Sequence, residues 1–465
     1  MRKIVLNEAN LGVEEIECRK KKARALIIDD NNVVTLCNYC NVYLLPGGKV
    51  EDNESVIEGL LRELEEELGL GFDKEELKEL VSVVTVASGY PVRDSSKRVN
   101  RACETDYYII RSNRKIDSSR VKLTDSELKC NFRIEYVPLD RVMELACNNE
   151  YRSSRNKYFV KELLMVLREF LGNNSKGYCS CDDEGLIDLH IHTLASDGDR
   201  SANDIIEESN RMGAQAISIT DHDTIDGYRN LSYDRDLIKV IPGIELSAFS
   251  DIGRIHILGY GFDLENKALN EKLLEFHENS VNKIMLLADI LKRNYGIKFD
   301  DRDIYELISL DKNIGRPDLA KLLMKYGFVK STKEAFDKYL SEAHDYIRDL
   351  IKKPSYEECF DIIKNAGGVP VLAHPHTMLL DDNSLYYEIL EMKKKGLMGI
   401  EAYHSNMPKE LSDMVIKIAM EQELYLTGGS DYHGPIVKPD INLFTGRNNN
   451  IRVKKLNFLN DVNYL

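Results

Sequence analysis

The run Asp188-Leu189-His190-Ile191-His192-Thr193, followed at once by Ser196-Asp197-Gly198, carries the side chains that grip a metal ion. Leu186, Ile187 and Leu189 make it read as a buried strand entering a loop. Residues two apart on a strand share a face, so His190 and His192 can hold one cation together, with Asp197 as a third ligand from the loop. Histidine and carboxylate gathered at a strand end are what a hydrolytic metal centre needs. Taken alone, the stretch also reads as a strand with two hydrogen-bonded core histidines.

The same grammar recurs downstream. Ala216 to Thr220 runs into Asp221-His222-Asp223, Val240 to Ile244 into Glu245, and the strand-like Ile255 to Tyr260 carries His256. Val369 to Ala373 ends in His374, Met398 to Ile400 in Glu401, and Tyr425 to Ser430 in Asp431-Tyr432-His433. Helical patterns at Ala202 to Met212, Tyr356 to Asn365 and Lys409 to Met420 separate most of these runs, which predicts strand and helix alternating as in a parallel barrel. Chemistry in such barrels sits where the strands end.

These motifs, in this order, resemble the PHP (polymerase and histidinol phosphatase) metallo-phosphoesterase family over residues 185–465. The resemblance implies a distorted (β/α)7 barrel with up to three divalent ions at its mouth. Its ligands would be His190, His192, Asp197, His222, Glu245, His256, His374, Asp431 and His433. Glu245 would bridge two ions, and Asp197, His222 and His433 would hold the third. His277, His344, His376 and His404 match no ligand position and read as structural or solvated.

Residues from about 265 to 355 carry no strand-end ligand and read as helices, an insertion comparable with the helical cap of nucleotide-cleaving PHP proteins. Asn313 to Asp318 resembles the Gly-Arg-Pro-His turn of those relatives, with Asp318 where they have histidine. Arg316 is then a candidate phosphate clamp, because a guanidinium matches phosphate oxygens as a fork.

The amino-terminal part has a different chemistry. All ten histidines fall from His190 onward, so a metal bound earlier must be held by carboxylates, which suits magnesium or manganese. Ala23 to Ile28 and Val33 to Leu36 flank an Asp-Asp-Asn-Asn turn, and Tyr43 to Gly48 follows as a strand ending in a glycine turn. A helix is predicted from about Ser55 to Leu70, with Val56, Leu60, Leu64 and Leu68 as its buried stripe. Glu63, Glu66 and Glu67 crowd another face and repel unless a cation sits among them.

Gly48, Glu54 and the run Arg62 to Leu70 resemble the Nudix box. The resemblance implies an α/β/α sandwich over residues 1–171 and cleavage of a nucleoside diphosphate linked to another group. Magnesium or manganese would be held by Glu63, Glu66 and Glu67, Arg62 would orient a glutamate, and Glu54 would pair near the helix start. Tyr90 to Arg101 reads as a basic loop, either a phosphate or base reader or a solvated loop. A helix from Lys157 to Phe170 closes this domain, and a Gly-Asn-rich linker occupies 172–184.

A chain of 465 residues suggests two to three domains, and its hydrophobic fraction of 43% can fill their cores. The net charge of -15 argues against a protein that coats nucleic acid, a mode built on many Lys and Arg contacts to phosphate. No run approaches membrane-spanning length, and nine cysteines lack a disulfide-framework spacing, so a soluble protein of a reducing cytoplasm is expected. Cys37, Cys40, Cys179 and Cys181 could supply four thiolates to zinc, though their flanks carry no zinc-knuckle pattern.

The whole reads as a bifunctional metal-dependent hydrolase acting on nucleotides or short oligonucleotides. Imidazole ligands at the barrel fit manganese, zinc or iron. Two relays are open: a Nudix cut exposing a 5′-monophosphate for 5′-3′ exonucleolytic degradation, or release of a nucleoside 3′,5′-bisphosphate whose 3′-phosphate the barrel removes. A histidinol-phosphate type of phosphatase, or a Nudix module that only senses a ligand, are the alternatives.

Overall fold

The computed structural model describes residues 1–465 apart from 8, 41, 93–95, 150–155, 173–184, 234–236, 251, 310–311 and 348–352. The expected linker, Arg93 and Asp94 of the basic segment, and Cys179 and Cys181 therefore lie outside the described residues. The chain divides into two compact units, Met1–Glu184 and Gly185–Leu465.

In the first unit the strands are β1 (Arg2–Leu6), β2 (Cys18–Ile28), β3 (Val33–Tyr39), β4 (Val42–Leu44), β5 (Gly47–Lys49), β6 (Lys78–Pro91), β7 (Arg98–Arg111) and β8 (Arg133–Pro138). The helices are α1 (Val56–Leu68), α2 (Asp125–Lys129), α3 (Leu139–Asn148) and α4 (Asn156–Leu171). The sheet order is β1-β6-β7-β2-β3-β4, with β5 added to β2 and β8 to β3. Alternation along β2 sends Ala23, Ala25 and Ile27 toward Leu60, Leu64 and Leu68 of α1, and each buried leucine contributes about 1.5–3 kcal/mol. Arg24 points to the other face, where α4 packs, so the unit is the expected sandwich.

Ser55 caps α1 by accepting from the Glu58 amide, and Gly69 ends it in a left-handed conformation. The segment read as a basic loop is strand at both ends: β6 runs to Pro91 and β7 starts at Arg98. Pairing of Tyr90 with Val99 and of Pro91 with Arg98 across the hairpin extends the two strands into the segment, where no apolar alternation marks them. Cys40 is bonded to Cys130, and Cys147 is also disulfide-bonded. Cys40 is thus no free thiolate, which removes the four-thiolate zinc site, and the disulfide pairing was not foreseen.

The second unit contains β9 (Ile187–Ile191), α5 (Ala202–Arg211), β10 (Ala216–Ile219), β11 (Lys239–Ser250) and β12 (Gly253–Tyr260). The helices α6 (Lys267–Tyr295), α7 (Asp301–Ile308), α8 (Arg316–Lys325), α9 (Thr332–Ala335) and α10 (Ser341–Asp345) follow, with a π-helical turn at Phe336–Leu340. Then come α11 (Tyr356–Asn365), β13 (Val369–Leu372), α12 (Asp382–Lys395), β14 (Gly399–His404), α13 (Lys409–Glu421) and β15 (Tyr425–Gly429). Ile284, Leu287 and Leu291 of α6 share an apolar cluster with Leu319 and Leu323 of α8, so these helices have a core of their own.

Strands β9 to β15 form one seven-stranded sheet in sequence order. It comes close to closing, since the Ser430 amide donates to Asp188 of β9 at 2.8 Å and Tyr432 bridges Ile191. The alternation is not wholly parallel: β12 runs antiparallel to both neighbours because a hairpin, not a helix, joins it to β11. That reversal brings His256, near the start of β12, to the end of the barrel where the other strands finish. Glu245 also does not end its strand, as β11 continues to Ser250.

Candidate metal centres

At the barrel mouth the nine residues singled out in the sequence converge. Glu245 Oε1 lies 2.7 Å from His256 Nδ1 and 2.8 Å from His374 Nε2. Its Oε2 lies 3.1 Å from His192 Nε2, 3.2 Å from His222 Nδ1 and 3.3 Å from His190 Nε2. Asp431 Oδ1 is 3.5 Å from His192 Nε2 and 3.7 Å from His190 Nε2. Asp197 faces His433 Nε2 at 3.3 Å, His192 Nδ1 at 3.5 Å and His222 Nε2 at 3.9 Å. The ligand atoms of His192, Asp197, His222 and His433 lie within 4.8 Å of one another, as do those of His190, His192 and Glu245, and those of His222, Glu245 and His256.

Burial raises the Glu245 carboxyl, yet the imidazoles of His222, His256 and His190 hold it well below the usual carboxylate range. Burial also raises Asp431, which His433 and Lys438 pull well below its ordinary value. His192 is pushed down to about 3 by burial, with His433 adding to the effect. His192 is thus a neutral imidazole facing ionised carboxylates, the state a metal ligand requires. Against burial, the neighbouring carboxylates raise His190, His374 and His433 above their ordinary values.

The donors fit divalent cations. Both ring nitrogens of wholly buried His192 and Nδ1 of His222 have no hydrogen-bond partner, although carboxylate oxygens lie nearby. The unpartnered nitrogens of His192 and His222, turned toward carboxylate oxygens that they do not bond, leave a place for a positive charge.

Three carboxylates and one histidine at the site were not among the nine candidate ligands. Glu401 of β14 lies 2.9 Å from His190 Nδ1 and accepts from the His374 amide at 2.7 Å. His404 is buried, not solvated, and its Nε2 is 3.5 Å from Asp431. His190, Glu401 and His404 make a further group of close donors. Asp188 accepts from the amides of Ser430 and Phe444, both at 2.8 Å, and Asp221 accepts from Thr193 and Ser196. Glu401 shared the strand-tip grammar of the other ligands and was visible on that ground. His376 has its ring 4.9 Å from that of His404, whereas His277 and His344 sit on α6 and α10 and join none of these groups.

A cavity of about 330 Å³ joins this cluster to the cap. Asp197, His222 and His256 line one side, and Lys283, Arg316 and Phe336 another. Arg316 lies over the Phe336 ring at 5.2 Å. Asp318 turns onto Lys312 Nζ at 2.5 Å and the Gly315 amide at 3.0 Å, so its charge is matched within the cap.

On α1, Arg62 binds Glu54, Glu63 and Glu66 at 2.9–3.0 Å. The crowding of carboxylates is therefore relieved partly by a guanidinium of the same helix. Glu67 is buried and accepts from the Gly47 amide at 2.8 Å. Burial pushes its carboxyl up to about 7 against the pull of Arg24 and that amide. Burial raises Glu63 as well, with Arg62 opposing. Carboxylates that are costly to ionise side by side are suited to a hard divalent ion.

A histidine-rich cluster on the barrel and an acidic one on the sandwich define a metal-dependent hydrolase. Residues 188–395 match the family model of the PHP domain and residues 19–159 that of the NUDIX domain, so the chain is a NUDIX domain fused to a PHP domain. It is 26% identical over 253 residues to a 5′-3′ exoribonuclease of Haemophilus influenzae, spanning 53% of this chain and 90% of that one. It is 28% identical over 255 residues to a 3′,5′-nucleoside bisphosphate phosphatase of Chromobacterium violaceum, spanning 54% and 87%. A phosphoribosyl 1,2-cyclic phosphate 1,2-diphosphodiesterase of Eggerthella lenta is 28% identical over 258 residues, spanning 53% and 94%. No helix among the described residues is long and apolar enough to cross a membrane.

Proposed function

We propose that the PHP unit hydrolyses a phosphate ester of a nucleotide or short oligonucleotide, and that the NUDIX unit cleaves a nucleoside diphosphate linked to another group. The cavity with Arg316 and Lys283 opposite Asp197, His222 and His256 carries the first reading. Cations on one wall suit a phosphate, and the ligand-type cluster on the other suits the reacting group. A cavity of about 330 Å³ is near the lower end of those that enclose a small ligand, roughly 300–1,000 Å³, which favours a mononucleotide or a chain end over a duplex.

In this reading His190, His192, Glu245, His256, His374 and Asp431 would hold two of the divalent ions. Asp197, His222 and His433 hold a third. Imidazole-rich donors suit manganese, zinc or iron. Bound there, such ions neutralise charge on the ester and make hydroxide available at neutral pH. Arg316 orients the substrate phosphate. In the NUDIX unit Glu63, Glu66 and Glu67 hold magnesium or manganese, with Arg62 fixing Glu63 and Glu66. A cytoplasmic location belongs to the same reading, and the disulfides at Cys40–Cys130 and Cys147 weigh against it, because such bonds persist in oxidising compartments.

Purified protein with manganese, given adenosine 3′,5′-bisphosphate and short 5′-phosphorylated RNA, tests the barrel. Release of phosphate or of mononucleotides supports the reading, and turnover of histidinol phosphate alone overturns it. ADP-ribose, coenzyme A and 5′-triphosphorylated RNA test the NUDIX unit.

A further inference from the structure

Across the sheet from α1, Lys22 and Arg24 of β2, Arg98 and Arg101 of β7, and Glu162 of α4 line a cavity of about 250 Å³ that also reaches Tyr90. Four cations there face one carboxylate, and that carboxylate already accepts from the Tyr107 hydroxyl at 2.6 Å. Arg24 is buried and donates to the Leu45 carbonyl. Lys22 Nζ lies over the Phe159 ring, 5.9 Å from its centre, and burial and then Arg24 push this ammonium below its ordinary pKa. Arg101 stacks 3.3 Å from the centre of the Tyr90 ring, with its buried Nε lacking a partner.

Arg98 is exposed and donates to the Gly89 carbonyl, so the like charges confined in the drier part are Lys22, Arg24 and Arg101; these repel, and an anion relieves that repulsion. The Tyr90 stack fixes the plane of the Arg101 guanidinium, which prepares it for forked bonding to phosphate oxygens. The volume falls below the roughly 300–1,000 Å³ of pockets that enclose a whole ligand, so the cavity suits part of one, such as a phosphate with its sugar. Arg24 pairs with Gly47 of β5, and the Gly47 amide donates to Glu67, so one strand pair links this cavity to the glutamates of α1 on the other face of the sheet.

We propose that the cavity is an anion subsite of the NUDIX unit, taking a phosphate of the ligand beyond the diphosphate that faces Glu63, Glu66 and Glu67. The inference rests on the NUDIX reading given above for where that diphosphate lies. It narrows the substrate to a nucleotide bearing at least one further phosphate ester. Hydrolysis breaks one P–O–P bond, with the water oxygen joining one phosphorus and its protons shared by the two products. One product keeps the additional phosphate and is a nucleoside bisphosphate, the class of molecule the barrel is proposed to dephosphorylate.

Hydrogen exchange of the full chain in EDTA, followed in peptides covering residues 85–91 and 98–105, tests this without turnover. Adenosine 3′,5′-bisphosphate is expected to protect these segments at concentrations at least tenfold below those needed by 5′-AMP or adenosine. Arg101→Gln and Lys22→Gln should each weaken that protection tenfold or more, with exchange in the barrel strands unchanged as the sign of a folded protein. Equal protection by 5′-AMP or adenosine, or no protection by the bisphosphate, overturns the proposal. Because no catalysis is read, a NUDIX unit that fails to hydrolyse yet shows protection leaves the subsite standing, and one that hydrolyses without protection removes the subsite alone.

Discussion

Glu401 Oε1 lies 2.9 Å from His190 Nδ1, across 211 residues of sequence, with both side chains fully buried. The pair fixes the imidazole so that Nε2 faces Glu245 and Asp431. The other Glu401 oxygen accepts from the His374 amide, so one carboxylate orients residues from two strands. A carboxylate behind a metal-binding histidine sets its tautomer and raises its basicity. Glu401→Gln should lower phosphate release by about 10–100-fold and weaken manganese binding to the same degree. Unchanged activity and metal content would show that His190 needs no such partner.

Arg316 stands on the cap side of the cavity, opposite the histidines, on the first turn of α8. Its guanidinium is held over Phe336, which limits the freedom lost when it binds. Charge-assisted bonds to phosphate are worth about 1.5–3 kcal/mol each. Arg316→Ala should therefore raise KM for a nucleotide by about tenfold or more and leave manganese content unchanged. Steady-state kinetics on adenosine 3′,5′-bisphosphate check this. A fall in kcat with constant KM would move Arg316 from binding to the chemical step.

Much of the convergence at the barrel mouth was legible because the candidate ligands are written as apolar runs with a polar tip, a pattern that local sequence can carry. The Nudix helix was legible for a similar reason, since Leu60, Leu64 and Leu68 recur with the helical period. His404 was not, because its place beside Asp431 depends on how β14 and β15 pair, which no local pattern encodes. The reversed strand β12 escaped for the same reason: apolar alternation gives a strand but not its direction. Cys40 and Cys130 are separated by 90 residues, and that partnership is fixed by the approach of two distant segments.

Glu67 links the NUDIX site to pH. Its carboxyl is pushed up to about 7, mainly by burial, so without a cation it gains a proton as pH falls through neutrality. A magnesium ion needs the ionised form, and binding must then displace that proton. Magnesium affinity is expected to fall roughly tenfold per pH unit below about 7 and to level off above about 8. Calorimetric titration at pH 6 and pH 8 checks this, and Glu67→Gln should flatten the dependence. Glu66→Gln should abolish NUDIX turnover while the PHP activity persists. Loss of both activities would mean that the two units do not work independently.

Gly429 sits where the last strand of the barrel meets the first. A Cβ there would lie 2.3 Å from the His190 amide nitrogen and 2.5 Å from the His190 Cβ, and neither can swing aside as the tip of a flexible side chain could. The amide of the next residue, Ser430, donates to Asp188, and the His190 carbonyl accepts from the Asp431 amide, so the seam also positions two candidate ligands. Asp431 itself holds a left-handed backbone at φ 57°, a conformation that a shifted seam would not preserve. Gly429→Ala should thus destabilise the PHP unit by about 1–3 kcal/mol or more, the usual cost of overpacking. It should also lower manganese content, because His190 and Asp431 move apart together. Gly71 has open space around its missing side chain, and Gly71→Ala serves as the control. Thermal melting paired with metal analysis separates the two effects: a variant that melts early but keeps its manganese would show that barrel closure and metal binding are uncoupled.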